Sequence, residues 1–423
     1  MCANKEIVTA AIPAPAPYRA WTVVGLLWIA YLINYVDRQV VFSIFPALTR
    51  DLGFTTPQLG MIGTIFIWVY SLCNPFVGRL ADTFSRTKLI VVSIILWSLA
   101  TLATGLAGSV TMFLAWRAVM GVTEALYVPP ALGTIGTLHP GPTRSRALAL
   151  HGSAQFAGIV AGSWFGGWMA DGPGWRWAFY ALAAAGLCYA PVLHFALKPV
   201  SGQVQSAAQS QPVSPTVLAR NGCYWALSFA FFSLCIMLWM IYAWMPSHLY
   251  EKMGLSMKDA GLTATFWVQT GSVSGILLGG ALGDWGSRRW PWARFGLICL
   301  GLTCCAPFAY LSLATESLAM FKVLAFSFGL TAGWMMGNTF AASYDVTPPS
   351  CYGIGAGTLN MTGGISGGAA IFAAGQLKDS LGIHTLMFWG AALAVASAVV
   401  LAVTVSFRFQ TDRASMETAS RYA

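Results

Sequence analysis

The chain contains about twelve apolar stretches of about 20 residues each, and this recurrence limits the fold more than any other feature. A stretch of that length crosses the hydrocarbon core of a bilayer as an α-helix. Only 9% of the 423 residues are charged and 57% are hydrophobic, whereas soluble proteins carry about 25% charged residues. A transmembrane β-barrel would show short alternating segments instead. The sequence therefore predicts an all-α membrane protein with twelve transmembrane helices.

A polar segment divides the predicted spans into two sets of six. The first six spans are 21–48, 57–77, 89–107, 112–132, 147–170 and 177–197. The other six begin near Tyr224, Asp259, Trp292, Leu318, Tyr352 and Leu386. The segment between them is rich in Ser, Gln and Pro and has no hydrophobic periodicity, as expected of a linker. The predicted order is an N-terminal tail (1–20), a six-helix bundle (21–197), a linker (198–222), a second bundle (223–407) and a C-terminal tail (408–423).

Basic residues predict the orientation of the chain in the membrane. Most of the Lys and Arg residues outside the spans fall in the loops that follow even-numbered spans, and these residues accumulate on the cytoplasmic side. Both termini are therefore predicted to be cytoplasmic, and we expect a bacterial inner membrane. The net charge of +9 reports this topology, because no concentrated basic patch of the kind that binds nucleic acid is present in the sequence.

The sequence offers no support for an enzyme. It has no P-loop pattern, so direct use of ATP is not expected. Its nine cysteines are scattered and show neither metal-ligand spacing nor a disulfide framework. No catalytic triad is recognisable. We therefore predict neither a cofactor nor a metal, and we expect a small molecule, protons and the lipid bilayer as partners.

A loop motif occurs at the same position in both halves. Residues 78–88 read GRLADTFSRTK and residues 280–289 read GALGDWGSRR. Each segment places an Asp four residues after a Gly and an Arg four residues after that Asp. Internal repeats of this kind are typical of secondary transporters. The residues we single out as conformational gating loops are Gly78, Asp82, Arg86, Asp284 and Arg288.

The twelve spans, the linker and the doubled loop resemble the major facilitator superfamily over nearly the whole chain. This resemblance implies two pseudo-symmetric six-helix bundles, with Asp82 and Asp284 each bonded to a neighbouring helix end. The segment NYVDR (34–38) in span one and the pattern R-x-x-x-G-x-x-E-A (117–125) in span four resemble the anion:cation symporter family. That family carries sugar acids, aromatic carboxylates and other organic anions. Spinster-like lipid carriers share both motifs and remain the rival.

Four ionisable residues lie inside two of the predicted spans: Asp37, Arg38, Arg117 and Glu124. A charge at the bilayer centre costs about 2.5–3.5 kcal/mol on insertion scales, so such residues are expected to face a polar cavity or one another. The resemblance implies that Arg38 binds the substrate anion, Asp37 and Glu124 carry protons, and Arg117 holds Glu124. The simpler alternative is a structural ion pair between Arg117 and Glu124 that braces the first bundle.

The other predicted substrate contacts are neutral. Helix geometry places Tyr31, Tyr35 and Arg38 on one face of span one, with Asn34 on its flank. The second half has almost no charge in mid-membrane and offers amide and hydroxyl groups, each of which could instead serve helix packing. The predicted substrate-binding residues beside Arg38 are Tyr31, Asn34, Tyr35, Tyr70, Gln155, Tyr242, Gln269, Asn338 and Asn360.

These features predict a proton-coupled importer of a small carboxylate, such as a sugar acid or an aromatic acid. We expect it to work as a monomer by alternating access of its two halves. The second interpretation is a Spinster-like exporter of lipids, amphiphiles or drugs that exchanges protons and opens laterally. Ser163 stands where drug antiporters of the superfamily have Pro, and this weakens the drug-efflux interpretation. A third is a non-transporting receptor on the same fold.

Overall fold

The computed structural model describes residues 17–139, 143–198, 216–348 and 351–421, and within these ranges it consists of α-helices and short connections. The predicted tail up to residue 16 and most of the predicted linker (199–215) lie outside the described residues. The first half contains α1 (Pro17–Ser43), α2 (Phe45–Leu52), α3 (Thr56–Thr83), α4 (Arg86–Gly105), α5 (Val110–Ala125), α6 (Val128–Leu138), α7 (Arg144–Asp171) and α8 (Trp175–Leu197). The second half contains α9 (Thr216–Ala219), α10 (Gly222–Met253), α11 (Met257–Ser287), α12 (Ala293–Ala314), α13 (Leu318–Tyr344), α14 (Tyr352–Leu381) and α15 (Ile383–Arg421).

The described residues form twelve long helices if α5 and α6 are taken as one. Nine of these twelve contain a stretch that is long and apolar enough to cross a membrane. The remaining three are α7, α11 and α14, which are rich in glycine and pack at the boundary between the halves. Small residues let helices approach closely in a membrane, where no hydrophobic effect drives them together. The structure confirms the predicted all-α membrane fold.

Two helix pairs make most of the contacts between the halves, and the first is α3 with α14. A Cβ atom built on Gly60 would lie 2.9 Å from the Cα atom of Gly375, so only glycine permits this approach. The hydroxyl of Thr64 donates to the carbonyl of Gly368 over 2.9 Å. Carbonyl oxygens on one helix thus bond directly to side chains on the other, which close packing makes possible.

The second pair is α7 with α11. The Asp171 carboxylate, at the end of α7, accepts from the backbone N–H groups of Met257 (3.2 Å) and Lys258 (2.7 Å). The first N–H groups of a helix have no partner within the helix, so a carboxylate from the other half bonds them well. All these contacts lie toward the end of the molecule that is opposite to the described chain ends.

The halves separate toward the other end. Asn360 lies one and two turns from Gly364 and Gly368 on the same face of α14. A Cβ built on Gly364 or Gly368 would touch Ser71 or Trp68 of α3, whereas Asn360 itself is exposed. Among the described residues, the molecule is therefore closed at one end and open at the end where the chain enters and leaves the bundle.

The end of α15 packs against the start of α10. The Asp412 carboxylate accepts from the backbone N–H of Cys223 over 2.8 Å. The side chain of Asn221 accepts from the N–H of Tyr224 over 2.8 Å. The last helix thus supplies one of the caps of the first long helix in the second half.

The second of the two gating loops contains an ion-pair network. Arg294, in the first turn of α12, donates to Asp284 and to Asp345, each over 2.8 Å. Asp284 therefore bonds to a neighbouring helix end in the way that the resemblance implies. Arg288 is exposed.

The first loop is only partly described. Arg86 donates to the hydroxyl of Thr137 over 3.4 Å. The side chain of Asp82 and the surroundings of Gly78 lie outside the described residues. A clamping role for either loop stays a prediction.

Candidate functional site

Glu124 lies in the last turn of α5, next to the break between α5 and α6. Pro129 and Pro130 have no N–H, so the carbonyls of Ala125 and Leu126 lose their helical donors. The helix ends at Ala125 and resumes as α6. The two prolines therefore place Glu124 at a helix end inside the membrane span that α5 and α6 form together.

Arg38 of α1 reaches across to this carboxyl. Its Nε atom lies 2.5 Å from Oε2 of Glu124, and the two side chains are 7% and 0% exposed. The guanidinium carbon lies 4.2 Å from the ring centre of Tyr70, 4.9 Å from that of Tyr35 and 5.1 Å from that of Phe66. These rings hold the planar cation by cation–π contact.

The ion pair is incompletely bonded. Nη2 of Arg38 and Oε1 of Glu124 are buried and have no hydrogen-bond partner among the described residues. An unbonded buried polar atom is costly, so such atoms mark a place where a ligand or water can bind. One edge of the guanidinium is thus available to a further acceptor, and a carboxylate fits that edge in bidentate geometry.

The predicted pairing of Arg117 with Glu124 is not found among the described residues. Its Nη1 atom lies 3.0 Å from the sulfur of Met120, and its guanidinium lies 4.7 Å from the ring centre of Phe66. Its Nε and Nη2 atoms have no partner among the described residues. Residues seven apart on a helix are separated by about 10.5 Å along the axis, which is too far for an ion pair here. Glu124 pairs instead with Arg38 of α1, so the ion pair links α1 with α5 and does not lie within α5.

Asp37 points toward α4. The hydroxyl of Thr101 donates to Oδ2 of Asp37, while Oδ1 has no partner among the described residues. Asn34, one turn earlier, is fully buried and neither atom of its amide is hydrogen-bonded. The four predicted charges and Asn34 therefore come together between α1, α4 and α5. Thr101 was missed by sequence reasoning, because a threonine in an apolar span has no signal of its own.

Tyr31 belongs to an aromatic stack that the sequence did not reveal. Its ring lies 4.5 Å from the ring of His151 on α7, with an angle of 11° between the planes. The hydroxyl of Tyr127 lies 3.3 Å from Nε2 of this histidine and donates to the carbonyl of Leu27. Tyr31 also meets Tyr35 edge to face at 4.9 Å. The stack thus continues to the aromatic residues around Arg38.

The predicted residues of the second half fall into different environments. Gln269 is 2% exposed, and its amide faces the side chain of Tyr242 without a well-aligned hydrogen bond. Tyr242 is buried, and its carbonyl accepts from Gln39 over 3.1 Å. Asn338 donates to the carbonyls of Gly279 (2.8 Å) and Trp334 (2.9 Å), which uses its amide for helix packing.

A cavity of about 680 Å³ lies between α7 and α11. Gln269 is part of its wall, and the other lining side chains are mostly apolar or aromatic. Gln155 is partly buried on α7, one residue before the lining starts. The lining residues are Phe156, Ala157, Val160, Ala161, Trp164, Leu262, Phe266, Gln269, Thr270, Val273 and Ser274.

Comparison with known proteins gives relatives along most of the chain. The probable sulfoacetate transporter SauU of Cupriavidus necator is 26% identical over 403 residues, which cover 86% of this chain and 89% of the relative. The probable galactarate/D-glucarate transporter GudP of Bacillus subtilis is 25% identical and covers 88% of this chain and 89% of its own length. These relatives are transporters and not enzymes, in agreement with the sequence.

The fold is also found among solved structures. A bacterial homolog of the human lysosomal transporter Spinster, in an inward-facing and occupied conformation, superposes with a TM-score of 0.74 at 19% identity. The match covers 94% of this chain and 97% of that one. At this identity the likeness concerns the fold. Residues 27–371 match the model of the Major Facilitator Superfamily. The chain therefore belongs to the Major Facilitator Superfamily and is a multi-pass membrane transporter.

Proposed function

We propose that the protein takes up a small organic anion together with protons by alternating access. The observation that carries this proposal is the buried ion pair between Arg38 and Glu124. Arg38 has a free edge suited to a carboxylate, and the acid that pairs with it is one that can accept a proton.

The pair supports an exchange of partners. A substrate carboxylate that binds Arg38 competes with Glu124 for the same cation. Two carboxylates on one guanidinium would leave an excess negative charge in a buried site, which is strongly unfavourable. Protonation of Glu124 removes that charge. Substrate binding and proton uptake therefore favour each other at this site.

Asp37 and Arg117 form the second part of the charged cluster. Arg117 is fully buried without a carboxylate within ion-pair distance in the described structure, so its charge is balanced only by the cluster as a whole. Asp37 is the other acid of that cluster and interacts electrostatically with Arg117. We assign Asp37 to proton coupling as well, and Arg117 to holding the cluster near neutrality.

The comparisons support an anionic substrate. SauU and GudP are named for the transport of organic acids, and their matches cover 86% and 88% of this chain. With the termini cytoplasmic, as the basic loops predict, the open end of the molecule faces the cytoplasm. We assign Gln269, Tyr242 and Gln155 to binding the neutral part of the substrate.

A second candidate function is export of an amphiphile with proton exchange. The observation that favours it is the cavity of about 680 Å³ between α7 and α11, whose wall is mainly apolar and aromatic. An acyl chain fits such a wall better than a sugar acid does.

Uptake into proteoliposomes distinguishes the two. Radiolabelled galactarate, sulfoacetate, benzoate and a lysophospholipid are supplied with and without an inward pH gradient. We expect at least one of the three acids to accumulate only with the gradient and only in liposomes that contain the protein; protein-free liposomes are the control for benzoic acid, which crosses a bilayer in its neutral form. Accumulation of the lysophospholipid alone would reject the anion proposal in favour of the second function.

A further inference from the structure

Thr101 is placed to interact with Asp37 in two different ways. Its side chain is fully buried on α4, and its hydroxyl is bonded to Oδ2 of Asp37. The same hydroxyl lies 2.9 Å from the carbonyl oxygen of Trp97, one turn earlier on α4. Both potential acceptors are therefore within reach of a single O–H group.

A hydroxyl has one proton to donate and two lone pairs that accept. When Asp37 is ionised, the Thr101 O–H donates to the carboxylate. When Asp37 is protonated, its own O–H donates to the Thr101 oxygen, and the Thr101 proton turns to the Trp97 carbonyl. The pair keeps a hydrogen bond in both states, and no heavy atom needs to move.

We propose that Thr101 is the positioning residue that keeps Asp37 hydrogen-bonded both before and after it gains its proton. This inference rests on the proposed function, because it presupposes that Asp37 takes up and releases protons during transport.

The charged groups around Asp37 show why such a partner matters. They are Arg38 on α1 and Arg117 and Glu124 on α5. None of them bonds Asp37 directly: Arg38 is paired with Glu124, and Arg117 contacts Met120. An unpaired buried carboxyl would be costly in either protonation state. Thr101 lowers that cost in both states, because it bonds Oδ2 before and after protonation, and so leaves the acid able to change state.

Thr104 provides a matched control on the same helix. It is also fully buried, and its hydroxyl donates to the carbonyl of Ala100 over 2.8 Å. Thr104 contacts no acid among the described residues, so it shares the burial and the helix bond of Thr101 but lacks the proposed role.

The first test is pH-difference infrared spectroscopy on the purified protein in liposomes, which needs no substrate. Asp37→Asn assigns the carboxylic C=O band of Asp37 by its loss. In Thr101→Val that band should move to higher wavenumber, because the acid no longer donates to an oxygen. Thr101→Ser and Thr104→Val should leave the band in place.

The outcomes separate the two proposals. If no band is lost in Asp37→Asn across the pH range, Asp37 does not titrate and its role in the proposed function is wrong. If the band is assigned but Thr101→Val leaves it unmoved, the role of Thr101 alone is wrong.

Transport gives the second readout, with whichever of galactarate, sulfoacetate or benzoate is taken up. Thr101→Val should reduce uptake driven by a pH gradient by about tenfold or more, the size expected for a lost hydrogen bond to a charged group. Substrate exchange without a gradient should persist, and Thr101→Ser should restore gradient-driven uptake. An equal loss of both modes in Thr101→Val, with the same loss in Thr104→Val, would mean packing only and would overturn the inference.

Discussion

The two halves share one architecture but differ in the chemistry of the residues buried along their spans. The first half places Asp37, Arg38, Arg117 and Glu124 in one cluster. In the corresponding region the second half offers neutral amides, such as Gln269 and Asn338. The difference teaches that the halves have unequal tasks. In the proposed function, the first half holds and exchanges charge, and the second half contributes neutral side chains to the wall of the substrate path.

Substitution of Glu124 is the strongest test of this difference between the halves. In Glu124→Gln the amide cannot exchange a proton, so uptake driven by a pH gradient should be abolished. Exchange of labelled for unlabelled substrate in proteoliposomes should survive. The control is Glu251→Gln, an acid of the second half that pairs with Lys378 over 3.1 Å near the closed end, and it should transport normally. Normal gradient-driven uptake by Glu124→Gln would show that the first half does not carry the proton.

Arg38 should have the next largest effect. Arg38→Ala removes the cation that a desolvated carboxylate requires, and the loss of one partner of such a pair costs about 3–5 kcal/mol, or more than about a hundredfold in affinity. Arg38→Lys should restore binding only in part, because a point charge lacks the bidentate fork.

Calorimetry on purified protein measures this affinity. Arg176→Ala serves as the control, since Arg176 bonds the carbonyl of Ala107 away from the cluster. Wild-type affinity in Arg38→Ala would remove the anion site from the first half and favour the amphiphile transporter.

Substitution of Gln269 tests whether the neutral side chains of the second half contact the substrate. Gln269→Leu removes an amide that makes no well-aligned hydrogen bond in the described structure, so the protein should fold as well as before. If the amide binds a hydroxyl of the substrate, affinity should fall by about three- to tenfold, the worth of one neutral hydrogen bond. Competition by hydroxylated acids should weaken more than competition by analogues that lack hydroxyls. An equal change for both would place Gln269 outside the binding site.

Asn338 should have the smallest effect on transport. Its amide already bonds two carbonyls, so Asn338→Leu should leave substrate affinity unchanged. We expect a loss of about 1 kcal/mol in stability, seen as a lower melting temperature in detergent. A tenfold loss of affinity without a change in melting temperature would return this residue to the substrate site.

The sequence predicted the fold well because a bilayer allows few solutions. Backbone groups in lipid must bond within their own segment, so apolar length alone indicates helices. The glycine-rich α7, α11 and α14 are the weakest spans by composition, since glycine adds little hydrophobicity to a span. The doubled loop motif still identified both halves.

The partners within the charged cluster could not be predicted in the same way. Spacing showed that Arg117 and Glu124 share a helix face, but Arg38 from another helix bonds Glu124. Contacts between helices depend on their rotation and depth, which periodicity does not fix. The same limit explains why the contacts of Thr101 and His151 became visible only in three dimensions.

The cap that Asp412 gives to Cys223 has a consequence for the synthesis of the protein. The two residues are 189 positions apart, and a chain is made from its N-terminus. The first turn of α10 therefore emerges long before the carboxylate that bonds it. The first bundle can assemble while the ribosome is still at work, but the second must wait for its last helix. An interruption of synthesis near the end of α15 would leave an assembled first bundle beside an unfinished second one.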